Sequence, residues 1–212
     1  MEYSAYFEFL RKTHDCPFIF RSGNIPVLIS APHAYRHIRN GRIKNAETGA
    51  GAIALFLNEH KNTHCMVKTA ENEDDPNYNE KSPYKNALLD YIRANSIRYV
   101  LDIHELKPGR ETEINPLING GILIDGYEKL YNIIKEIFLK NKFKVTEDFP
   151  FSGKNPNGIA AFLRKNTEIF VLQLEINCRL IYPESGCNQT DRVCTAFSDI
   201  VDAINKFDKK IK

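Results

Sequence analysis

Three segments of the chain are nearly unbroken apolar runs: "VLI" at 27–29, "YVLDI" at 99–103 and "FVLQLEI" at 170–176. A strand with one wet face alternates apolar and polar residues. Runs without alternation therefore belong to strands covered on both sides. The cover must come from helices, and stretches of helical periodicity lie between the runs. Segment 190–207 carries Val193, Phe197, Ile200, Ile204 and Phe207, spaced by four and three, which is one face of a helix. Segment 47–58 repeats Ala50, Ile53, Ala54 and Leu57 in the same way.

The same reading predicts strands at 18–21, 26–30, 65–69, 98–104, 120–124, 143–147 and 169–176, and helices at 47–58, 83–94, 126–139, 159–165 and 190–207. Strands alternating with helices of about a dozen residues give an α/β fold. The expectation is a single domain over 1–212, with a mixed, mostly parallel central sheet and helices on both faces. A chain of 212 residues is long enough to bury one sizeable core.

Composition excludes several classes. The formal net charge is +2, and the basic residues are scattered apart from "KFDKKIK" at 206–212, so no nucleic-acid partner is expected. No apolar run approaches the roughly 20 residues of a membrane span. The first residues, "MEYSAYFEFLRKTHD", lack the pattern of a signal peptide. Cys16, Cys65, Cys178, Cys187 and Cys194 form no C-x-x-C pair, which suits reduced thiols in a cytoplasmic protein. There is no P-loop, no G-x-G-x-x-G and no G-x-S-x-G, which argues against nucleotide binding and against a serine hydrolase.

In open sheets of this kind chemistry collects beyond the carboxyl ends of the strands. Three of those ends carry titratable groups. The first run breaks at Pro32 into His33, the second ends at His104, and the third carries Glu175 followed by Asn177 and Arg179. If the three strands are neighbours, two imidazoles and a carboxylate share one crevice. Catalytic zinc takes three protein ligands and keeps one open position. Glu47, opening the helix after His33, is the attractive third ligand. Glu71, Asp74 and Asp75 compete with it. Asp102 is either the carboxylate that orients His104 or a ladder residue. Glu175 inside an apolar strand is costly to bury unless it is paired or functional, and Arg179 is its alternative partner. His14, His60 and His64 read as surface residues, and His37 is left open.

The motifs "SAPHA", "ETGAGAIA", "DPNY", "LDIHE" and "LEINCRLIY", spread from Ser30 to Tyr182, resemble those of the N-formylglutamate amidohydrolase family, a relative of the zinc carboxypeptidases. The resemblance implies a zinc-carboxypeptidase-like (phosphorylase/hydrolase-like) fold and one Zn2+ per chain held by His33, Glu47 and His104. It makes Glu175 the general base, and Asn177 and Arg179 groups that shape the site or hold a substrate carboxylate. Arg36 and Arg110 stand close enough in sequence to the two histidines to stabilise an oxyanion or clamp a carboxylate, and Lys44 is a further cation. Nickel, cobalt or iron suit similar ligands. The implied activity is hydrolysis of an N-formyl or N-acyl amino acid such as N-formyl-L-glutamate. Ala34 and Tyr35 follow Pro-His where the family commonly has Ser-Gly, which leaves the substrate open. Alternatives are a zinc carboxypeptidase or amidase for small peptides or cell-wall fragments, and a non-catalytic binding protein on the same scaffold. The loop "FSGKNPNG", with Gly153 and Gly158, can approach a ligand closely. The expected partner is a small substrate with a free carboxylate; oligomeric state is not legible.

Overall fold

Alternation along the strands decides which residues meet which helices. The computed structural model describes residues 3–12, 14–119, 127–182 and 189–211. Among them the elements run α1 (Tyr3–Arg11), β1 (Phe18–Arg21), β2 (Val27–Ala31), β3 (His37–Arg39), β4 (Arg42–Lys44), α2 (Thr48–Lys61), β5 (His64–Lys68), α3 (Pro83–Ala94), β6 (Tyr99–Leu106), β7 (Ile114–Leu117), α4 (Glu128–Lys140), α5 (Ile159–Asn166), β8 (Phe170–Asn177), a 3-10 turn (Cys178–Leu180) and α6 (Thr190–Ile211). Six strands form one sheet in the order β1-β5-β2-β6-β8-β7. The inner four are parallel, and the edge strands β1 and β7 run antiparallel to their neighbours.

Val27, Ile29 and Ala31 of β2, Leu101 and Ile103 of β6, and Leu172, Leu174 and Ile176 of β8 pack with α1, α2, α4 and α6. The intervening residues Leu28, Val100 and Val171 pack with α3 and α5. This is the period of two at work, and it explains why both residue sets had to be apolar. Further along the same strands the α3/α5 side turns polar: Ser30, then Asp102 and His104, then Gln173 and Glu175. The register aligns them, with Ser30 opposite Asp102, Asp102 opposite Gln173 and His104 opposite Glu175. An apolar half-face becomes a polar floor at the strands' carboxyl ends.

The structure differs from the sequence expectation in four places. Segment 143–147 is no strand of the sheet but runs along β7, with the bridge Ile114–Val145 and backbone bonds from Ile114 N to the Lys144 carbonyl and from Thr146 N to the Ile114 carbonyl. The edge position belongs instead to β7, whose Pro116 suits an edge. Residues 37–44 form a separate two-stranded hairpin, β3 with β4. Its turn is Asn40–Gly41, both at positive φ, the backbone that hairpin turns of this kind require. A helix, α1, covers α2 near the start of the chain. The expected strand at 120–124 lies outside the described residues.

Asp208 near the end of α6 is 2 % exposed. It accepts from Arg98 Nε at 2.5 Å and also from Arg98 Nη2, tying the last helix to the residue before β6. Asp208→Ala leaves a half-buried guanidinium unpaired and is expected to lower unfolding free energy by about 2 kcal/mol. A urea titration measures this, and a change below about 0.5 kcal/mol would show that the pair contributes no more than a surface bridge.

Candidate metal centre

His33 leaves the end of β2, Glu47 stands at the N-cap of α2, and His104 lies on β6. Their facing atoms converge. His33 Nδ1 is 3.1 Å from His104 Nδ1 and 3.3 Å from Glu47 Oε1, and His104 Nδ1 is 3.1 Å from Glu47 Oε2. One ligand atom from each lies within 4.8 Å of the others. Gly49 lets the first turn of α2 come this close: a Cβ there would meet Glu105 Oε1 at 2.9 Å and Ile181 at 2.6 Å.

The far nitrogens of both rings are already engaged. Asp75 Oδ1 lies 2.9 Å from His33 Nε2, and Asp102 Oδ2 lies 3.2 Å from His104 Nε2. Both aspartates are fully buried. The carboxylate behind His33 favours its ring proton at Nε2 and turns Nδ1 to the centre, while His104 Nε2 meets both Asp102 and the Asn77 amide nitrogen, 2.8 Å away. Two ring nitrogens 3.1 Å apart beside a carboxylate call for positive charge between them, either ring protons or a cation. The donor set of two imidazoles and a carboxylate also matches a catalytic zinc site with an open position. The residues present therefore fit a divalent metal ion.

The electrostatics agree. Burial acts to raise the Glu47 carboxyl, but His33 and His104 outweigh it and hold it far below the usual range. Burial acts to lower the His104 imidazole, yet Asp102 and Glu47 raise it well above its ordinary value. His33 is raised in the same way by Glu47 and Asp75 against burial. These carboxylates demand positive charge in the centre. Across from His104, Glu175 is pushed up to about 7, first by burial, with Glu47 adding and His104 opposing. Gln173 Nε2 donates to its Oε1 at 3.0 Å.

A second group, His33, His37 and Asp75, is equally close, but its carboxylate is already engaged. Asp75 Oδ2 accepts from Arg39 Nε at 2.6 Å, and His37 Nε2 stands 3.5 Å away. The His37 ring stacks on His33 with centroids 3.9 Å apart. This group backs the first and braces His33.

The centre opens into a cavity of about 750 Å³. Glu175 and the three facing residues line it, as do Arg39, Lys44, Lys107 and Arg110, together with Gly153 and Gly158. Three residues expected at the substrate lie elsewhere. Arg36 is exposed, over the Tyr35 ring and outside the lining. Asn177 is buried, and its amide donates to the carbonyls of Arg110 and Thr112, so it braces the segment that carries Arg110. Arg179 reaches towards Glu113, 3.5 Å away. Arg36 and Arg179 follow strand ends and Asn177 closes β8, but none of the three side chains lines the cavity.

Of the competing acids, Asp74 accepts from Ser82 and the Tyr84 amide at the start of α3. Glu71 accepts from the Asn72 and Glu73 amides. His64 is buried against the Tyr91 hydroxyl, contrary to a surface reading. Arg39 and His37 are the residues that sequence reasoning did not place. The Asn40–Gly41 turn directly after His37's strand was the available signal.

The sequence matches no protein-family model and no curated protein. Solved structures do match. N-formylglutamate amidohydrolase from Ralstonia eutropha JMP134 aligns with a TM-score of 0.65 at 14 % identity, covering 92 % of this chain and 99 % of that one. The folds are the same. The gene product Atu2144 from Agrobacterium tumefaciens aligns at 0.63 and 15 %, covering 95 % and 98 %. A metallo-carboxypeptidase from Pseudomonas aeruginosa aligns at 0.56 and 12 %, covering 92 % of this chain and 61 % of its own. The chain therefore has a zinc-carboxypeptidase-like fold. In that fold the polar floor of β2, β6 and β8 is where this chain gathers its titratable groups.

Proposed function

We propose that the protein is a metal-dependent amidohydrolase, cleaving the amide of an N-acyl amino acid or short peptide that bears a free carboxylate. The observation that carries this reading is the pair of facing Nδ1 atoms beside Glu47, each ring held from behind by a buried aspartate, with Glu175 across the register. His33, Glu47 and His104 would hold the ion, with zinc favoured by the donor set. When bound, it supplies Lewis-acid polarisation of a carbonyl and a water acidified to a pKa of about 7.

The chain's own residues do the rest. Glu175 accepts the proton of the attacking water and returns it to the leaving amine nitrogen. Its raised pKa suits both steps, since the same carboxyl must take and give a proton near neutrality. Arg39 and Arg110 present guanidinium groups to the cavity, and a guanidinium matches a carboxylate or a developing oxyanion. Arg39 is the better fixed, through Asp75. Structural neighbours titled N-formylglutamate amidohydrolase and poly-gamma-glutamate hydrolase are consistent with hydrolysis of amides near carboxylates. A peptide or cell-wall amide is the second reading, and the size of the cavity favours it over a formyl amino acid alone.

The test is elemental analysis of the metal-loaded, dialysed protein together with release of free amine from N-formyl-L-glutamate, N-acetyl amino acids and short acidic peptides. About one transition-metal ion per chain and activity lost on chelation are expected. A chain that takes up no such ion sinks the reading. Asp75→Asn keeps the shape but weakens the hold on His33. It is expected to loosen metal binding by about 10–100-fold, read by competition with a chelating dye.

A further inference from the structure

Five large apolar side chains are conspicuously exposed among the described residues: Ile43 (70 %), Phe149 (65 %), Phe151 (46 %), Tyr78 (43 %) and Leu139 (43 %). Three of them, Ile43, Tyr78 and Phe151, line the one cavity that holds the metal centre. Phe149 is two residues from Phe151. Scattered exposed apolar groups need no explanation, but a cluster at the mouth of a functional cavity marks a contact surface.

The backbone under this rim is fixed. Asn155 Nδ2 donates to the Asn77 carbonyl at 2.6 Å, and Asn157 Nδ2 donates to the Tyr78 carbonyl at 3.2 Å. Lys85 Nζ bridges the carbonyls of Asn79 and Asn157, and the Phe151 amide donates to Asn115. The two aromatic residues are thus presented to solvent from braced loops. Further in, the half-buried Arg39 stands beside the metal centre, anchored on Asp75 and lying 5.6 Å from the Tyr78 ring centroid. The cavity of about 750 Å³ falls within the range of sites for drug-sized ligands, about 300–1,000 Å³, and far exceeds a formyl group on one amino acid.

Resting on the amidohydrolase reading, we propose that the substrate is amphiphilic: an amide with a carboxylate for Arg39 and an apolar group of several carbons that lies on Ile43, Tyr78 and Phe151. The apolar group supplies binding through area removed from water, and the carboxylate sets the orientation.

Isothermal titration of metal-loaded Glu175→Gln, which binds without turnover, tests this. One series runs from N-formyl- through N-acetyl- and N-butyryl- to N-hexanoyl-L-glutamate. A second runs from N-acetylalanine to N-acetylphenylalanine, so that either end of the amide is lengthened. At least one series is expected to tighten, the acyl series by about fourfold per added methylene. Adding Ile43→Ser and Phe151→Ser should flatten that slope, whereas Leu139→Ser, outside the cavity, should not. Flat series, or a slope that survives the rim substitutions, overturn the proposal. Hydrolysis by wild type is followed on the same compounds. If the formyl compound is cleaved with the highest kcat/KM, the amphiphilic substrate falls while the amidohydrolase stands. If the series bind as expected and none is cleaved, the hydrolase reading falls and the apolar rim stands.

Discussion

Glu175→Gln is expected to lower kcat on a cleavable amide by about 10²–10⁴-fold, with KM nearly unchanged. The substitution removes the proton carrier and little else. Gln at this position keeps an oxygen to accept from Gln173, 3.0 Å away, and it removes a carboxyl that burial disfavours in its charged form. Stability should therefore hold or rise, and metal content should match wild type. Kinetics, thermal denaturation and elemental analysis on one preparation separate these effects. Residual activity within tenfold of wild type would show that the proton moves by another route.

His104→Ala is expected to cost the metal itself. It contacts both other facing groups and a buried aspartate behind, as His33 does. Bound metal should fall below about a tenth of an equivalent after dialysis, and activity with it. The substitution also leaves Asp102 buried without its imidazole, which costs stability of about 1–3 kcal/mol. A loss of metal through simple unfolding must be set aside, and the double variant Asp102→Asn/His104→Ala does so. Removing the stranded charge should recover part of the stability and none of the metal. Recovery of both would place the ion elsewhere.

The sequence carried the centre of the sheet well and its margins poorly. β2, β6 and β8 were legible because burial on both faces leaves unbroken apolar runs. The same strands showed their polar ends at His33, His104 and Glu175, and the parallel register turns those sequence positions into neighbours. β7 was not legible: four residues with an internal proline read as a loop until a neighbouring strand pairs with them. Segment 143–147 had strand-like residues, and it does hydrogen-bond along β7, but the pairing is too short to make it more than one bridge. The substrate side was harder. Arg36 looked suitable by sequence distance and Arg179 by its motif, but direction is set by local turns that neither encodes. Arg39, three residues past Arg36, faces the cavity because the hairpin twists it onto Asp75. Asp75 itself was visible only as a rival ligand; its place behind His33 depends on a loop that returns across the strand ends.

The hairpin β3–β4 forms no strand pair with the six-stranded sheet, yet it contributes His37, Arg39, Ile43 and Lys44 to the cavity wall. The facing residues His33, Glu47 and His104 all lie outside it. The hairpin and the strand ends beneath it are thus different pieces of backbone, joined through Arg39 on Asp75 and through His37 on Asp75 and the His33 ring. A segment of eight residues between two fixed anchors can change in length or composition while the strands beneath it stay as they are. For a lineage under selection, or for an engineer building libraries, this is the part of the chain where preference can drift first, with positions 37 and 39 as the residues that must be kept.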